Sequence, residues 1–137
     1  MESFEIAMSE DEPFLNANAK TGEINFGGRI LTYLEVLTDQ YYAPFASWLK
    51  EFSSKGISNK LTINLSLDYF NTAAEKVLVY PILKLIEEYQ PKYSQVTVNW
   101  YYPSYDDDML DAGQVFESLT ELTFNYIGWR SHITHVM

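Results

Sequence analysis

The fold of this chain is decided by residues 61–91, LTINLSLDYFNTAAEKVLVYPILKLIEEYQP, where a strand pattern gives way to a helix pattern. Apolar residues occupy every second position from Leu61 to Tyr69, which is the two-residue period of a β-strand with one face on a core. The apolar spacing then changes to that of a helix at residues 72–90. Pro81 lies inside this helix, removes one backbone hydrogen bond and predicts a kink. The sequence therefore predicts a strand followed directly by an amphipathic helix.

The flanking sequence extends this alternation in both directions. Upstream, residues 13–18 and 23–33 are two extended stretches around a turn, and they predict a β-hairpin with a bulge or a close backbone approach at residues 27–28. A core-facing helix is predicted at 41–53. The downstream patterns predict a strand, a helix and a strand, at 96–100, 106–118 and 122–127. Because strands that alternate with helices favour parallel pairing, we expect an α/β sandwich with a mixed β-sheet, a leading β-hairpin and about three helices.

The composition of the 137 residues fits one globular domain and argues against several classes of partner. Hydrophobic residues make up 47% and aromatic residues 16%, which is enough to bury a core. The formal net charge is −10, so binding to nucleic acid or to an anionic membrane is electrostatically unfavourable. The absence of cysteine fits a reducing cytoplasm and excludes disulfides. We find neither a signal peptide nor a membrane span, and we expect a cytoplasmic protein.

The junction between the predicted strand and helix, Tyr69-Phe70-Asn71-Thr72, has two interpretations. Thr72 begins the sequence Thr-Ala-Ala-Glu, which is typical of a capping box in which the threonine hydroxyl accepts from the backbone N–H of Glu75. Alternatively, the same hydroxyl accepts a phosphoryl group. The N–H groups and the positive end of the helix dipole would stabilise a phosphate there by roughly 0.3–1 kcal/mol. Capping is the commoner role for a threonine before a helix, and a phosphate would replace the cap.

Three motifs occur in order along the chain. They are Tyr-Phe-Asn-Thr at residues 69–72, Trp-Tyr-Tyr at residues 100–102, and an acidic segment followed by Gly and Phe at residues 106–116. Together they resemble the SiaC family of bacterial regulatory phosphoproteins. Hairpin glycines and an aromatic, proline-containing segment at residues 41–49 also fit the family, so the resemblance covers about residues 12–127.

The resemblance implies a STAS-like single domain that regulates other proteins without catalysis. In this family a dedicated protein kinase phosphorylates the threonine of the Asn-Thr motif, and a PP2C-type phosphatase removes the phosphate. The unphosphorylated form binds and activates a diguanylate cyclase, which makes cyclic di-GMP in the control of biofilms. By motif position, the acceptor in this chain is Thr72. The resemblance implies no cofactor.

The chain departs from the family pattern at two places. Ala73 and Ala74 stand where serines usually follow the Asn-Thr motif, which makes the choice of Thr72 as acceptor less ambiguous. Residues 33–35, Tyr-Leu-Glu, stand in place of Tyr-Pro-Glu, a change that bears on the identity of the partner more than on the fold. We expect the family domain at residues 12–128, between a flexible segment at 1–11 and a C-terminal tail at 129–137.

Aromatic and charged side chains near the motifs are the residues that we expect to contact a partner. Consecutive tyrosines cannot both face inward from an extended strand, so at least one of the pair at 101–102 should lie near the surface. The predicted partner-binding residues are Tyr69, Phe70, Asn71, Thr72, Lys76, Tyr101 and Tyr102. An alternative hypothesis is a small-molecule-binding module whose pocket is lined by the aromatic strand ends.

Other polar groups give weaker signals for chemistry. The aspartates at 106–111 could suit a divalent cation, but they lack the spacing of a calcium loop and are typical of a helix's first turn. His132 and His135 have metal-ligand spacing without an evident third ligand, and we expect them to face solvent. No nucleophile and base pair, P-loop or dinucleotide fingerprint is recognisable. We therefore predict neither a metal site nor an enzyme.

Overall fold

The strand predicted at residues 61–70 is the fourth strand of a six-stranded sheet in the computed structural model, which describes residues 1–130. The strands are β1 (Phe4–Ile6), β2 (Phe14–Ala17), β3 (Glu23–Ile30), β4 (Lys60–Phe70), β5 (Gln95–Pro103) and β6 (Phe124–Trp129). They lie side by side in sequence order. The first three pair antiparallel, whereas β3 to β6 pair parallel, so the predicted hairpin and the predicted parallel pairing are both confirmed. The strand β1 has no counterpart in the sequence prediction.

Three helical runs connect the parallel strands. The first, α1, comprises Leu34–Val36, Leu37–Tyr42 and Ala43–Lys55. The second, α2, comprises Thr72–Ala74, Glu75–Val79 and Tyr80–Tyr89, and a short 3₁₀ turn at Gln90–Lys92 follows it. The third, α3, is Asp107–Ser118. The middle segments of α1 and α2 are wide π-helical turns, and these two turns contact each other.

Each π-helical turn lies just before a proline. Pro44 and Pro81 occupy the first turn of the α-helical segment that follows. A proline cannot donate a backbone hydrogen bond, and its ring crowds the carbonyl four residues earlier, so a wide turn relieves that contact. Because this turn interrupts the 3.6-residue period, the sequence pattern placed the start of α1 at residue 41 rather than at Leu34.

The hydrophobic core lies between the helices and one face of the sheet. Along β4 the alternate residues Leu61, Ile63, Leu65 and Leu67 are almost fully buried and belong to one core cluster with the buried residues of all three helices. Connections between parallel strands are right-handed as a rule. Because the strands also lie in sequence order, every connecting helix is placed on the same face of the sheet. The structure is therefore two-layered.

The opposite face of the sheet carries a ladder of five asparagines, one on each strand from β2 to β6. Their side-chain amides form a continuous row of hydrogen bonds between 2.9 and 3.1 Å long, and the row comprises Asn16, Asn25, Asn64, Asn99 and Asn125. The register of the sheet places each asparagine directly opposite the next. We call this row the asparagine ladder.

The irregularity predicted at residues 27–28 is present as a register shift just after Gly28, and the extra residue of this bulge is Asp68 on β4. The pairing between β3 and β4 shifts register between Gly28 and Arg29, and Gly28 has a positive φ of 95° that favours glycine. After the shift, Ile30 pairs with Phe70, so β3 and β4 end side by side. No helix within residues 1–130 is long and apolar enough to cross a membrane.

Candidate functional site

The motif Tyr69-Phe70-Asn71-Thr72 lies where β4 ends and α2 begins, at the carboxyl edge of the parallel strands. Asn71 is the N-cap of α2: its backbone is extended, and its Oδ1 accepts from the backbone N–H of Ala74 at 2.7 Å. Thr72 is the first helical residue. The capping-box interpretation of Thr72 is therefore wrong, because the asparagine one position earlier adopts the extended backbone that a cap requires.

The assignment of the cap to Asn71 leaves the Thr72 side chain exposed at the start of a helix. Within residues 1–130 its hydroxyl makes no hydrogen bond. The backbone N–H groups of Thr72 and Ala73 belong to the first turn, where a helix offers no acceptor of its own. The hydroxyl is thus accessible, and donors for an anion lie beside it.

Charged side chains around Thr72 are mostly acidic. Lys76 lies four positions further along α2 and is exposed, at the spacing that brings side chains onto one face of a helix. Glu75 lies beside it and is half-buried. Asp68 precedes the motif on β4 and lines a cleft with the aspartates of α3. Lys76 is accordingly the nearest cation in sequence to the threonine.

The cleft beside the motif has a volume of about 330 Å³ and separates the end of β4 from the start of α3. It is lined by Asp68, Tyr69, Phe70, Asp106, Asp108, Met109 and Ala112. Asp106 caps α3, since its Oδ1 accepts from the backbone N–H of Met109 at 3.0 Å. Among residues 1–130 no group of three or more acidic, histidine or cysteine side chains is placed to hold a metal ion. The acidic run begins a helix, as its pattern indicated.

Two of the predicted partner-binding residues are brought close to Thr72 by the end of β4. Tyr69 is 45% exposed. Phe70 is half-buried and packs on Phe116 of α3, with the ring centroids 6.1 Å apart. Together with Asn71, Thr72 and Lys76 they form one continuous stretch of surface, which we call the Thr72 rim.

Tyr101 and Tyr102 lie further from Thr72 along the sheet. The pairing of Trp100 with Leu65 places both tyrosines level with the middle of β4. Tyr102 packs against the core, and Tyr101 points to the other face, where it pairs in register with Ile127. Both are half-buried. The structure therefore places Tyr101 on the face of the sheet opposite the one that the helices cover.

Three exposed apolar residues next to the Thr72 rim were missed by the sequence reasoning. Leu31, Tyr33 and Leu34 are 41%, 80% and 46% exposed. They follow the end of β3, whose Ile30 pairs with Phe70, so the chain emerges beside the start of α2. The pattern placed Leu31 and Tyr33 in an extended stretch ending at residue 33, and it placed Leu34 in no element. The adjacent apolar pairs Ile30-Leu31 and Tyr33-Leu34, which break strand alternation, are the signal that could have identified them.

A second groove runs between α2 and α3. Its volume is about 380 Å³, and its lining is Glu75, Lys76, Tyr80, Phe116 and Leu119. Leu119 is 53% exposed, so an apolar surface extends from the Thr72 rim along α2. His132 and His135, which we expected to face solvent, lie outside the described residues.

Comparisons with known proteins agree with this arrangement. The family model described as SiaC family regulatory phosphoprotein matches residues 6–128. The chain belongs to the SiaC family. No curated protein matches the sequence of this SiaC-family chain.

Solved structures of SiaC share the fold. Apo-SiaC from Pseudomonas aeruginosa superposes with a TM-score of 0.76 at 20% identity, covering 93% of this chain and 100% of that one. SiaC in a complex with the diguanylate cyclase SiaD, whose activator it is, superposes with a TM-score of 0.76 at 19% identity, covering 92% and 99%. At these identities the likeness establishes the fold. The predicted α/β class and family are thereby confirmed.

Proposed function

We propose that this SiaC-family chain is a non-enzymatic switch whose gate is the hydroxyl of Thr72. A dedicated protein kinase adds a phosphoryl group to this oxygen, and a PP2C-type phosphatase removes it. The observation that carries the proposal is the position of Thr72: its side chain is exposed, its hydroxyl makes no hydrogen bond within residues 1–130, and it comes one residue after the true cap. Because Asn71 caps α2, the threonine can be modified without loss of the cap.

A phosphate on Thr72 would lie where the start of α2 stabilises it. It carries a charge of about −1.5 to −2 and offers three acceptor oxygens to the first N–H groups of the helix. Lys76, one turn further on, supplies a cation. We therefore expect the phosphorylated form to keep the fold of α2, so the modification changes the surface charge and not the backbone.

The output that we propose is the binding and activation of a diguanylate cyclase by the unphosphorylated form. SiaC of Pseudomonas aeruginosa forms a complex with the cyclase SiaD, which supports a partner of this class. The exposed apolar side chains beside Thr72 supply contacts that a partner can bury, since Tyr33 is 80% and Tyr69 is 45% exposed. A strongly hydrated phosphate among them must be desolvated on docking, so phosphorylation lowers affinity.

The acceptor assignment is tested by phosphorylation with the cognate kinase and ATP, followed by mass spectrometry of the intact chain and its peptides. We expect one phosphate on the parent chain, and none on Thr72→Ala. Thr72→Ser keeps a hydroxyl and should still be modified, while Thr38→Ala, an exposed threonine in α1, serves as the matched control. Equal labelling of Thr72→Ala and the parent would contradict the assignment.

The docking surface is tested by calorimetric titration of the cyclase with the unphosphorylated chain and by cyclic di-GMP production. Tyr33→Ala and Tyr69→Ala should each weaken binding by roughly tenfold or more, as truncated aromatic contacts do. Lys20→Ala in the hairpin turn is an exposed control at the other end of the sheet. Affinities that stay equal to the parent for both tyrosine variants would place the docking surface elsewhere.

The hypothesis of a small-molecule pocket has less support. The cleft beside the motif and the groove between α2 and α3 are both open and small. Their volumes of about 330 and 380 Å³ are at the lower end of the volumes of ligand sites. The first is lined by three aspartates and not mainly by aromatic rings.

A further inference from the structure

The asparagine ladder has a direction. In every bond of the row the Nδ2 group donates to the Oδ1 atom on the preceding strand, from Asn125 to Asn99, Asn64, Asn25 and finally Asn16. Each amide therefore directs its N–H groups towards β1 and its carbonyl oxygen towards β6. The Oδ1 atom of Asn125 is the last in the row and accepts nothing from residues 1–130.

One carboxylate accepts from the row near β1, and a second lies beside the end of the row. Glu5 lies directly opposite Asn16 in the pairing of β1 with β2, and Glu23 accepts from the Nδ2 of Asn25 at 3.4 Å. Both carboxylates line the same cavity as Asn16 and Asn25. An ionised carboxylate only accepts, so the contact with Glu23 favours the orientation in which Asn25 turns its N–H groups towards β1. The unused acceptor consequently lies at the other end of the row, on β6.

The strand β6 is also an open edge for backbone pairing. The carbonyl of Trp129 accepts from the N–H of Ser104, at the end of β5, so Trp129, Ile127 and Asn125 direct their backbone groups inwards. By alternation, Phe124, Tyr126 and Gly128 direct theirs outwards. The N–H of Phe124 is already bonded to the Glu117 carboxylate at 2.8 Å. Within residues 1–130 no strand lies beyond β6.

This edge lacks the features that keep sheet edges apart. Residues 124–129, FNYIGW, contain no charged residue and no proline, and they alternate between the two faces of the sheet. Natural proteins usually protect an exposed edge with lysine, proline or a bulge. An unprotected edge beside an unused side-chain acceptor is suited to a further strand.

We propose that β6 is a docking edge for an extended segment of a partner protein, which adds a seventh strand. The segment carries a side-chain donor, an amide or a hydroxyl, opposite Asn125, and its backbone pairs with Tyr126 and Gly128. This surface is distinct from the Thr72 rim and does not depend on phosphorylation.

A second copy of this chain fits the edge poorly. Two-fold pairing of β6 with itself would reverse the ladder across the axis, and in the register that continues the row it would bring the two Asn125 Oδ1 atoms together, acceptor against acceptor. Each copy also carries a formal charge of −10, which opposes self-association. A heterologous strand with a donor avoids both penalties.

The side-chain requirement is tested with synthetic peptides. The probe peptide has the sequence of residues 95–103, QVTVNWYYP, with two lysines added at each end. This sequence is chosen because its asparagine, Asn99, already pairs with Asn125 from the inner side of the sheet. The comparison peptide replaces this asparagine with leucine, which has a similar shape and no donor. Binding to the full chain is followed by amide shifts in NMR spectra. We expect the asparagine peptide to bind roughly fivefold tighter, the value of one hydrogen bond, and to shift the amides of Tyr126 and Gly128. With Asn125→Val protein the two peptides should bind alike.

The backbone requirement is tested at Gly128. A Cβ atom at this position would lie 3.4 Å from Ser104 and Tyr102, which is ordinary contact. Gly128→Ala keeps the outward N–H and should bind the peptide as the parent does. Gly128→Pro removes that donor and should abolish binding, although proline itself is compatible with an edge strand. Three outcomes would each overturn the proposal: the parent chain does not bind the peptide, it binds both peptides equally, or it forms a concentration-dependent dimer that Gly128→Pro disrupts.

Discussion

The asparagine ladder makes a quantitative prediction for its middle member. Asn64 donates to Asn25 at 3.0 Å and accepts from Asn99 at 2.9 Å, and it is 7% exposed. Replacement with leucine keeps the size of the side chain and removes both bonds. It also leaves the Oδ1 atom of Asn25, itself 7% exposed, without its donor.

The expected loss follows from these contacts. Each neutral hydrogen bond contributes about 0.5–1.5 kcal/mol, and a buried acceptor left unsatisfied costs about 1–3 kcal/mol. Burial of the leucine offsets part of this, so we expect Asn64→Leu to lower the free energy of unfolding by about 3 kcal/mol. For a domain of this size the midpoint of thermal unfolding should fall by about 10 °C.

The assay is urea unfolding followed by circular dichroism, with thermal unfolding as a second measurement. Asn125→Leu is the matched control, because Asn125 is exposed and makes only one ladder bond. It should cost about 0.5 kcal/mol. Equal losses for Asn64→Leu and Asn125→Leu, or a loss below about 1 kcal/mol for Asn64→Leu, would refute the view that the ladder contributes stability through satisfied buried amides.

Two further predictions concern the core and the response to alkali. Gly113→Ala would bring a Cβ atom within 2.7 Å of the buried Trp100 ring, so α3 must move. We expect the free energy of unfolding, measured with urea, to fall by about 1–3 kcal/mol. The control Gln114→Ala, at an exposed position, should leave it unchanged. Burial raises the pKa values of Tyr41 and Tyr126 well above the usual value of about 10, and a nearby carboxylate raises each further, Glu12 for Tyr41 and Glu117 for Tyr126. Unfolded tyrosines lose their protons above that pH while these two keep theirs, so the free energy of unfolding should decline as the pH rises beyond about 10. The decline should be shallower in Tyr126→Phe, and an unchanged slope would contradict the role of Tyr126.

The cap of α2 shows why local sequence patterns misassign neighbouring residues. Both Asn71 and Thr72 are good capping residues, and Glu75 follows Thr72 at the spacing of a capping box. The backbone decides between them: Asn71 is extended and Thr72 is helical. That choice depends on where the pairing of β4 with β3 ends, which is a property of the sheet and not of the tetrapeptide.

The aromatic residues show a second limit. The sequence predicted that Tyr101 and Tyr102 could not both face inward, and the structure places them on opposite faces. The sequence could not indicate that Leu31, Tyr33 and Leu34 would lie next to Thr72, because that proximity arises from the register shift after Gly28 and the pairing of Ile30 with Phe70.

The sequence by itself determined the order of strands and helices from β2 onward, the α/β class and the family, because periodicity and motifs are local properties of the chain. Tertiary structure decided which residue caps α2, which side chains surround Thr72, and that five asparagines far apart in sequence form one directional row. Those features depend on strand register, and register is set by pairing between distant segments. The direction of the row, which the contact of Asn25 with Glu23 favours, is what leaves an acceptor unused on Asn125.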